Sequence, residues 1–407
     1  MGVIRRNVRG TIYEYYRDKD RHETLLGKTG SPEAKDRLRE VMRAELQTKI
    51  VSLGNELLDI DAAIREKEEA AEFEETEAES FAYEKMEDWR VQNEQPYYTT
   101  PYGAAYLGDS LQLMKKLPEK SVSLICTSPP FALIRKKQYG NEDAANYVEW
   151  FRPFAKQMHR ILTDDGSLVI HMGGAWNEGE PTKSLYTYQF LLALCSGYDE
   201  KFKLAQDFFW YNPAKLPSPA EWVNVRRVRV KDAVDFVWWL SKSSEPKADN
   251  RRVLRVYSQS MKNLLRNGYK AKLRPSGHNI STKFRKDLGG SIPPNLLYPS
   301  DILAFSNTES MGDYQKKCRE FGLPIHPARY PNEIPEFFTR FLTDKDSTVL
   351  DPFGGSNVTG AVAESMGRRW ISVEIQEDYI KGSIFRFKPE QLMTGKVHIA
   401  HLKPVAV

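Results

Sequence analysis

Ser128, Pro129, Pro130 and Phe131 follow the apolar run "SVSLICT" at 121–127 and form a corner that neither helix nor strand continues easily. A double proline fixes φ and removes two N–H donors, which leaves carbonyls and the Ser128 hydroxyl as acceptors around one spot, with an aromatic plane beside them. An amino group on a flat ring suits such a spot. The competing reading is a Pro-Pro loop with a buried phenylalanine. A second stretch, "STVLDPFGGSNVTGAVAESMGRRWISVEI" at 347–375, closes a strand on Asp351, Pro352 and Phe353 and turns through Gly354, Gly355 and Ser356. It begins a helix near Asn357 and ends the next strand in Glu374. The small turn lets a ligand approach the backbone, and a carboxylate at the second strand tip suits the two hydroxyls of a ribose. The full GxGxxG spacing is missing and no P-loop lysine follows, so an adenosine-type cofactor is more economical than a pyrophosphate.

Two such corners can act together only if strands deliver them to one edge. From about residue 103 the chain alternates short apolar runs, "SVSLICT" (121–127), "GSLVIHMGG" (166–174), "DAVDFVWWLS" (232–241), "STVLDPFGG" (347–355) and "RRWISVEI" (368–375), with helical stretches at 146–162 and 335–342. That alternation predicts an α/β fold with a mostly parallel sheet, whose ligands gather at the carboxyl ends of the strands. His171, near a strand end, reads as a satisfied structural histidine. Trp238 and Trp239 read as core aromatics, and Trp210 could line the other face of the pocket.

Charge divides along the chain. Residues 1–100 carry 16 Lys and Arg against 23 Asp and Glu, leaving 43 against 32 for the rest. The segment 251–286 holds eleven basic residues and no acidic one, with Tyr257, Tyr269 and Phe284 interleaved. A one-sign stretch of that length fits a polyanionic partner better than a solvated face. Arg226, Arg227, Arg229 and Lys231 alternate with valines and suggest a half-buried strand with one basic face. Three cysteines without CxxC spacing (Cys126, Cys195, Cys318) speak against a disulfide framework and a cysteine zinc site. No apolar run is long enough for a membrane span, and no secretory signal follows "MGVIRRNVRG", so the expected location is cytoplasmic.

Residues 1–95 read as a helical, acidic extension. Ser31, Pro32 and Glu33 have the chemistry of a helix start, and Leu46, Ile50, Leu53, Leu57, Ile60 and Ile64 repeat at helical spacing. The stripe is either a helix packing on its own domain or the seam of a homodimer. "NEQPYYTTPYG" at 93–103 reads as a linker.

The pair "TSPPF" and "DPFGGSNVTG" resembles the catalytic and cofactor motifs of the S-adenosylmethionine-dependent amino-methyltransferases of DNA, in the circularly permuted order of the β group. There the catalytic tetrad precedes the target-recognition region and the glycine motif comes last. The likeness is to N4-cytosine enzymes of type II restriction-modification systems. It runs over about 103–390 and includes "LGDSLQLMKKLP", "QYGN", "WYNPAKLPSP", "VRVKDAVDFVWW", "RPSGHNI", "GGSIPPNLL" and "HPARYP".

The resemblance implies a Rossmann-like methyltransferase fold. Its catalytic part is 103–242, its target-recognition region 243–298, its cofactor part 299–390, and 391–407 form a tail. It implies that Ser128, Pro129, Pro130 and Phe131 are catalytic, without metal or covalent intermediate. Asp109, Asp351, Phe353, Gly354, Gly355, Ser356 and Glu374 then belong to the S-adenosylmethionine site, with Phe353 by the adenine and Glu374 on the ribose. His326 and Arg329 would stand near the cofactor's amino-acid end. Asn357 stands where the family has a second glycine, and Asn tolerates left-handed backbone better than most residues. Double-stranded DNA is the implied partner, touched by Arg226, Arg227, Arg229, Arg251, Arg252, Arg255 and Arg274, the last in a turn that could present it to a base edge. Two other readings compete: an N6-adenine enzyme, whose members more often carry Asp or Asn at the Ser128 position, and a DNA-binding module without catalysis.

Overall fold

The computed structural model describes residues 2–17, 22–43, 46, 89–132, 142–213, 215–267, 289–297, 312–329 and 331–393. The chain divides into two units, Met1–Phe81 and Ala82–Val407.

In the first unit, β1 (Gly2–Val8), β2 (Thr11–Arg17) and β3 (Glu23–Lys28) form an antiparallel meander. Arg9 and Gly10 join β1 to β2 with φ of 52° and 86°, the mirror-image turn geometry that matches strand twist. Helix α1, described over 32–43, follows Ser31, whose Oγ accepts the Ala34 N–H at 3.1 Å as the sequence predicts for a helix cap. The expectation of a wholly helical extension is therefore corrected: three strands precede the helix. Nearly every residue of β1 is exposed, so it lacks the apolar-polar alternation that announces a strand. The stripe Ile50–Ile64 lies outside the described residues.

The second unit is built on a nine-stranded sheet of order β10-β8-β9-β7-β6-β11-β12-β5-β4. The strands are β4 (Tyr98–Thr99), β5 (Gly103–Leu107), β6 (Val122–Thr127), β7 (Leu162–Met172), β8 (Lys203–Tyr211), β9 (Val234–Ser241), β10 (Leu296–Leu297), β11 (Thr348–Asp351) and β12 (Arg369–Glu374). Five central strands, β7, β6, β11, β12 and β5, run parallel. β9 is antiparallel to both β7 and β8, so "DAVDFVWWLS" belongs to the sheet in the opposite direction to its neighbours.

The helices are α2 (Ser110–Lys115), α3 (Tyr147–Ile161), α4 (Tyr186–Leu192), α5 (Gln259–Asn267), α6 (Gly312–Glu320), α7 (Glu333–Leu342), α8 (Val358–Ser365) and α9 (Glu377–Ser383). Strand side chains alternate between two apolar layers, as a sheet buried on both faces requires. Ile125, Leu168, Ile170, Trp238, Leu350 and Ile371 pack with Phe151, Ala155 and Met158 of α3. Leu124, Val169, Val237, Trp239, Val349 and Trp370 pack with Phe338 and Leu342 of α7 and Ala363 of α8. Trp238 and Trp239 are core aromatics on opposite faces, as expected from the sequence. Pro335 sits in the first turn of α7, where its missing N–H costs no helical bond.

From β6 the chain crosses through α3 to β7 on one side, and from β11 through α8 to β12 on the other. The order therefore reverses between β6 and β11, and a crevice opens at their carboxyl ends. Thr127, which ends β6, donates to Asp351, which ends β11, at 2.6 Å. Residues 224 positions apart are locked side by side, and the two corners meet.

The stretch 226–231 is not a strand. It is exposed throughout, Val230 is 87% exposed and Arg227 has φ 56°, so the alternation of Arg and Val reflects no buried face. Among the described residues, no helix is long and apolar enough to cross a membrane.

Candidate functional site

A cavity of about 340 Å³ lies over the carboxyl ends of β5, β6, β11 and β12. Ser128, Pro129, Pro130 and Phe131 line it from the end of β6, and Phe353, Gly354, Gly355 and Ser356 line it from the turn after β11. Asp109, Glu374, His326 and Arg329 also line it, so the structure brings together every catalytic and cofactor residue that the sequence singled out except Asp351.

Glu374 ends β12 almost fully buried and accepts the Gly355 N–H at 2.7 Å and the Gln376 N–H at 2.8 Å. Burial pushes its carboxyl above the ordinary glutamate range, and the N–H groups of Gln376, Gly355 and Ile375 partly offset this. Gly355 has φ 54°, and a Cβ there would stand 3.0 Å from the His326 ring; a Cβ on Gly354 would overlap Ser372 Oγ at 2.1 Å. The turn therefore needs both glycines. Asn357 adopts φ 55° and ψ 47°, and its Oδ1 accepts the Gly360 N–H at the start of α8. The left-handed position expected there is occupied as an N-cap.

Phe353 packs against Trp150 and Phe154, at ring separations of 6.2 and 5.3 Å, making an aromatic wall. Trp150 and Phe154 stand one turn apart on α3 and both line the cavity. The sequence offered only that spacing to find them. Glu142 also lines the cavity and was not foreseen.

Asp351 is placed differently from the expectation. It is buried, accepts from Thr127, Thr359 and the Phe353 N–H, and does not line the cavity. Its carboxylate ties β6, β11 and α8 together beneath the turn rather than facing a ligand. Asp109 lines the cavity and caps α2, accepting from Leu111 and Gln112.

Behind the tetrad stands a histidine. His171 Nδ1 lies 3.0 Å from Ser128 Oγ, and its ring meets Phe131 and Trp210 edge-on at 5.5 and 5.3 Å. The reading of His171 as a purely structural group misses this contact with Ser128, because the partners are 43 positions apart in sequence. Trp210 belongs to the aromatic packing behind the pocket.

Phe131 is held against the backbone of Gly173, where a Cβ would stand 2.7 Å from its ring. Gly173→Ala is expected to cost about 1–3 kcal/mol of stability by overpacking. The cost should disappear when Phe131 is also alanine. Thermal unfolding of the double-mutant cycle checks this, and additive costs would contradict the contact.

The arginines divide by sheet edge. Arg226, Arg227 and Arg229 precede the antiparallel β9 and so lie at the carboxyl edge with the cavity. Arg252 pairs with Asp344 at 2.6 Å and donates to the Thr343 carbonyl at 2.7 Å, ahead of β11 and thus at the opposite edge. Arg251 pairs with Asp249, which is bonded to the Phe341 carbonyl at the end of α7. The assignment of Arg251 and Arg252 to DNA contact is corrected: both are engaged by carboxylates at the wrong edge. Arg255 bridges to Ser291 through its backbone. Arg274, "QYGN" and "RPSGHNI" lie outside the described residues.

A family model described as DNA methylase matches residues 122–385. Type II methyltransferase M.PvuII of Proteus hauseri is 50% identical over 305 residues, covering 74% of this chain and 88% of that protein. A DNA adenine methyltransferase, YhdJ of Escherichia coli (strain K12), is 23% identical over 287 residues, covering 69% and 80%. A solved structure of the PvuII DNA methyltransferase (cytosine-N4-specific) superposes with TM-score 0.57 at 43% identity, over 73% of this chain and 90% of that one.

Proposed function

The chain belongs to the DNA methylase family, and from that membership and the site we infer that it is a DNA (cytosine-N4) methyltransferase. It acts as the modification enzyme of a type II restriction-modification system, moving a methyl group from S-adenosylmethionine to the exocyclic amino group of a cytosine at a defined site in duplex DNA. The observation that supports this reading best is the convergence of Ser128–Phe131 and Gly354–Ser356 on one cavity from paired strands. The adenine reading is the weaker one: the adenine relative is 23% identical, against 43% for the cytosine-N4 structure.

The cavity fits the cofactor. Arg329 lines it with a buried Nη1 that has no hydrogen-bond partner among the described residues, a cation suited to a carboxylate. Glu374 would take the ribose hydroxyls, the Phe353 wall the adenine, and Arg329 with His326 the amino-acid end. When bound, S-adenosylmethionine supplies an electrophilic methyl group. The chain's own residues do the rest. The cytosine N4 lone pair is conjugated with the ring, so the site must hold the amino group in line and draw on its N–H bonds. Ser128 Oγ and the Pro129 carbonyl accept those two bonds, and Phe131 stacks on a base turned out of the duplex, which costs about a few kcal/mol to unstack.

Glu374 makes cofactor binding depend on pH. Ribose hydroxyls donate to the ionised carboxylate, so binding lowers the Glu374 pKa. Affinity is full above the free-protein pKa and falls as pH drops through it, by at most about tenfold per unit. Because burial raises that pKa, the fall begins at a higher pH than for an ordinary glutamate. Calorimetry across pH should show this in the wild type and a flat line over the same range in Glu374→Gln.

Arg226, Arg227 and Arg229 are proposed as phosphate contacts beside the cavity. Each alanine substitution should flatten the slope of log affinity against log salt by about one unit. Arg252→Ala should leave the slope unchanged and lower the unfolding temperature, since its partners are Asp344 and Thr343. A seam between two copies along the 46–64 stripe and a cytoplasmic location are the sequence-based extensions of this reading.

A further inference from the structure

We propose that His171, braced by Asp235, is a positioning residue that fixes Ser128 as a hydrogen-bond acceptor for the target amino group and receives the proton that this group must lose. The proposal rests on the methyltransferase reading and adds residues to it that neither motif contains.

Three adjacent strands build the arrangement. Ser128 follows β6, His171 is next to last in β7, and Asp235 is second in the antiparallel β9. His171 pairs with Val237, and Asp235 lies two residues earlier on the same face of β9, as a diagonal neighbour. His171 Nε2 stands 3.8 Å from Asp235 Oδ2, with both side chains 8% exposed, while Nδ1 stands 3.0 Å from Ser128 Oγ. Lys215 holds the other oxygen of Asp235 at 2.6 Å. Burial pushes the Asp235 carboxyl up, but His171 and Lys215 together hold it below its ordinary value.

At 3.8 Å, beyond hydrogen-bond distance, the ionised Asp235 carboxylate acts on the ring through its charge, which favours the imidazole proton on Nε2. Nδ1 is then bare, and the proton between it and Ser128 Oγ is the serine's own. With that O–H turned inward, the oxygen lone pairs face the cavity, where an amino group needs acceptors. The reverse tautomer would donate to Ser128 and leave its hydroxyl proton pointing at the substrate's N–H groups.

The balance of the step follows. The target nitrogen gains a bond to the methyl carbon and loses one N–H bond, and the electron pair of the broken sulfur–carbon bond stays on the donor. The released proton passes to Ser128 Oγ as the Ser128 hydroxyl proton moves to Nδ1. The resulting imidazolium faces the Asp235 carboxylate until water takes the proton away. Phe131 and Trp210, edge-on to the ring, keep bulk solvent from short-circuiting the path.

Two measurements test the proposal. Nitrogen-15 NMR of the imidazoles in the full chain, without cofactor or DNA and at alkaline pH, should show neutral His171 with its proton on Nε2, and Asp235→Asn should shift the proton toward Nδ1. A proton on Nδ1 in the wild type overturns the proposal, and this readout does not depend on what the enzyme methylates. In single turnover, His171→Ala should slow methylation by about 100-fold, in the range of lost acid-base assistance, with cofactor and DNA dissociation constants changed by no more than about twofold. His171→Asn, whose side-chain oxygen can accept from Ser128 but cannot take a proton, should recover about tenfold of that loss. Wild-type speed in His171→Ala, or an Asn variant no faster than Ala in a folded protein, overturns it. If the wild type produces no N4-methylcytosine while NMR finds the proton on Nε2, the functional reading fails and the positioning geometry stands.

Discussion

Ser128→Ala lowers the single-turnover methylation rate constant by about 100- to 1,000-fold, the range for deleting one preorganised hydrogen-bond partner of a transition state. The hydroxyl is the one side-chain acceptor of the tetrad, and it is anchored at 3.0 Å by His171 rather than left to rotate. Its removal leaves Pro129 and Pro130 to shape the corner, so the cavity survives and S-adenosylmethionine affinity stays at the wild-type value. Nonspecific DNA affinity should also stay, because the phosphate contacts proposed above, Arg226, Arg227 and Arg229, are untouched by the substitution. Phe131→Ala should give a parallel loss through the base, since a stacking contact is worth about 1–3 kcal/mol. Rapid-quench kinetics beside binding titrations checks both variants, and near-normal turnover in either would remove the tetrad from the chemistry.

Glu374→Ala raises the dissociation constant for S-adenosylmethionine by about 100-fold or more, as expected for losing two hydrogen bonds to a charged acceptor at about 1.5–3 kcal/mol each. The same carboxylate orders the turn through the Gly355 and Gln376 N–H groups, so part of the loss comes through a loosened cradle. Glu374→Gln keeps an acceptor and should fall between the two. Calorimetry on variants with an unchanged circular dichroism spectrum makes the comparison clean, and wild-type affinity in a folded Ala variant would refute the ribose assignment.

Four of the five parallel central strands, β6, β7, β11 and β12, were legible in the sequence because they are short apolar runs buried on both faces. β5 carries no such signal, and β4 lies inside 93–103, which reads as a linker but is buried in the sheet. The tetrad and the glycine turn were legible because proline and glycine act on the backbone locally, whatever surrounds them. What escaped depended on distance or on weak patterning. β8 begins with four exposed residues before its aromatic end, so "KLAQDFFWY" carries little signal. The valines at 228 and 230 imitate a strand's alternation but face solvent. Arg252 looked like a phosphate ligand by composition, and only the fold shows Asp344 waiting for it. His171 and Asp235 each look ordinary alone. Their meaning comes from the register that sets β7 between β6 and β9, which no local spacing reveals.

The central claim, amino methylation of cytosine, is tested most directly by mass spectrometry of nucleosides. Duplex DNA is incubated with the full chain and methyl-labelled S-adenosylmethionine, digested, and its nucleosides separated against standards. The account predicts label in N4-methylcytosine, appearing about 100- to 1,000-fold more slowly when Ser128→Ala replaces the wild type under the same conditions. Label in N6-methyladenine or in 5-methylcytosine, with none in N4-methylcytosine, would contradict it.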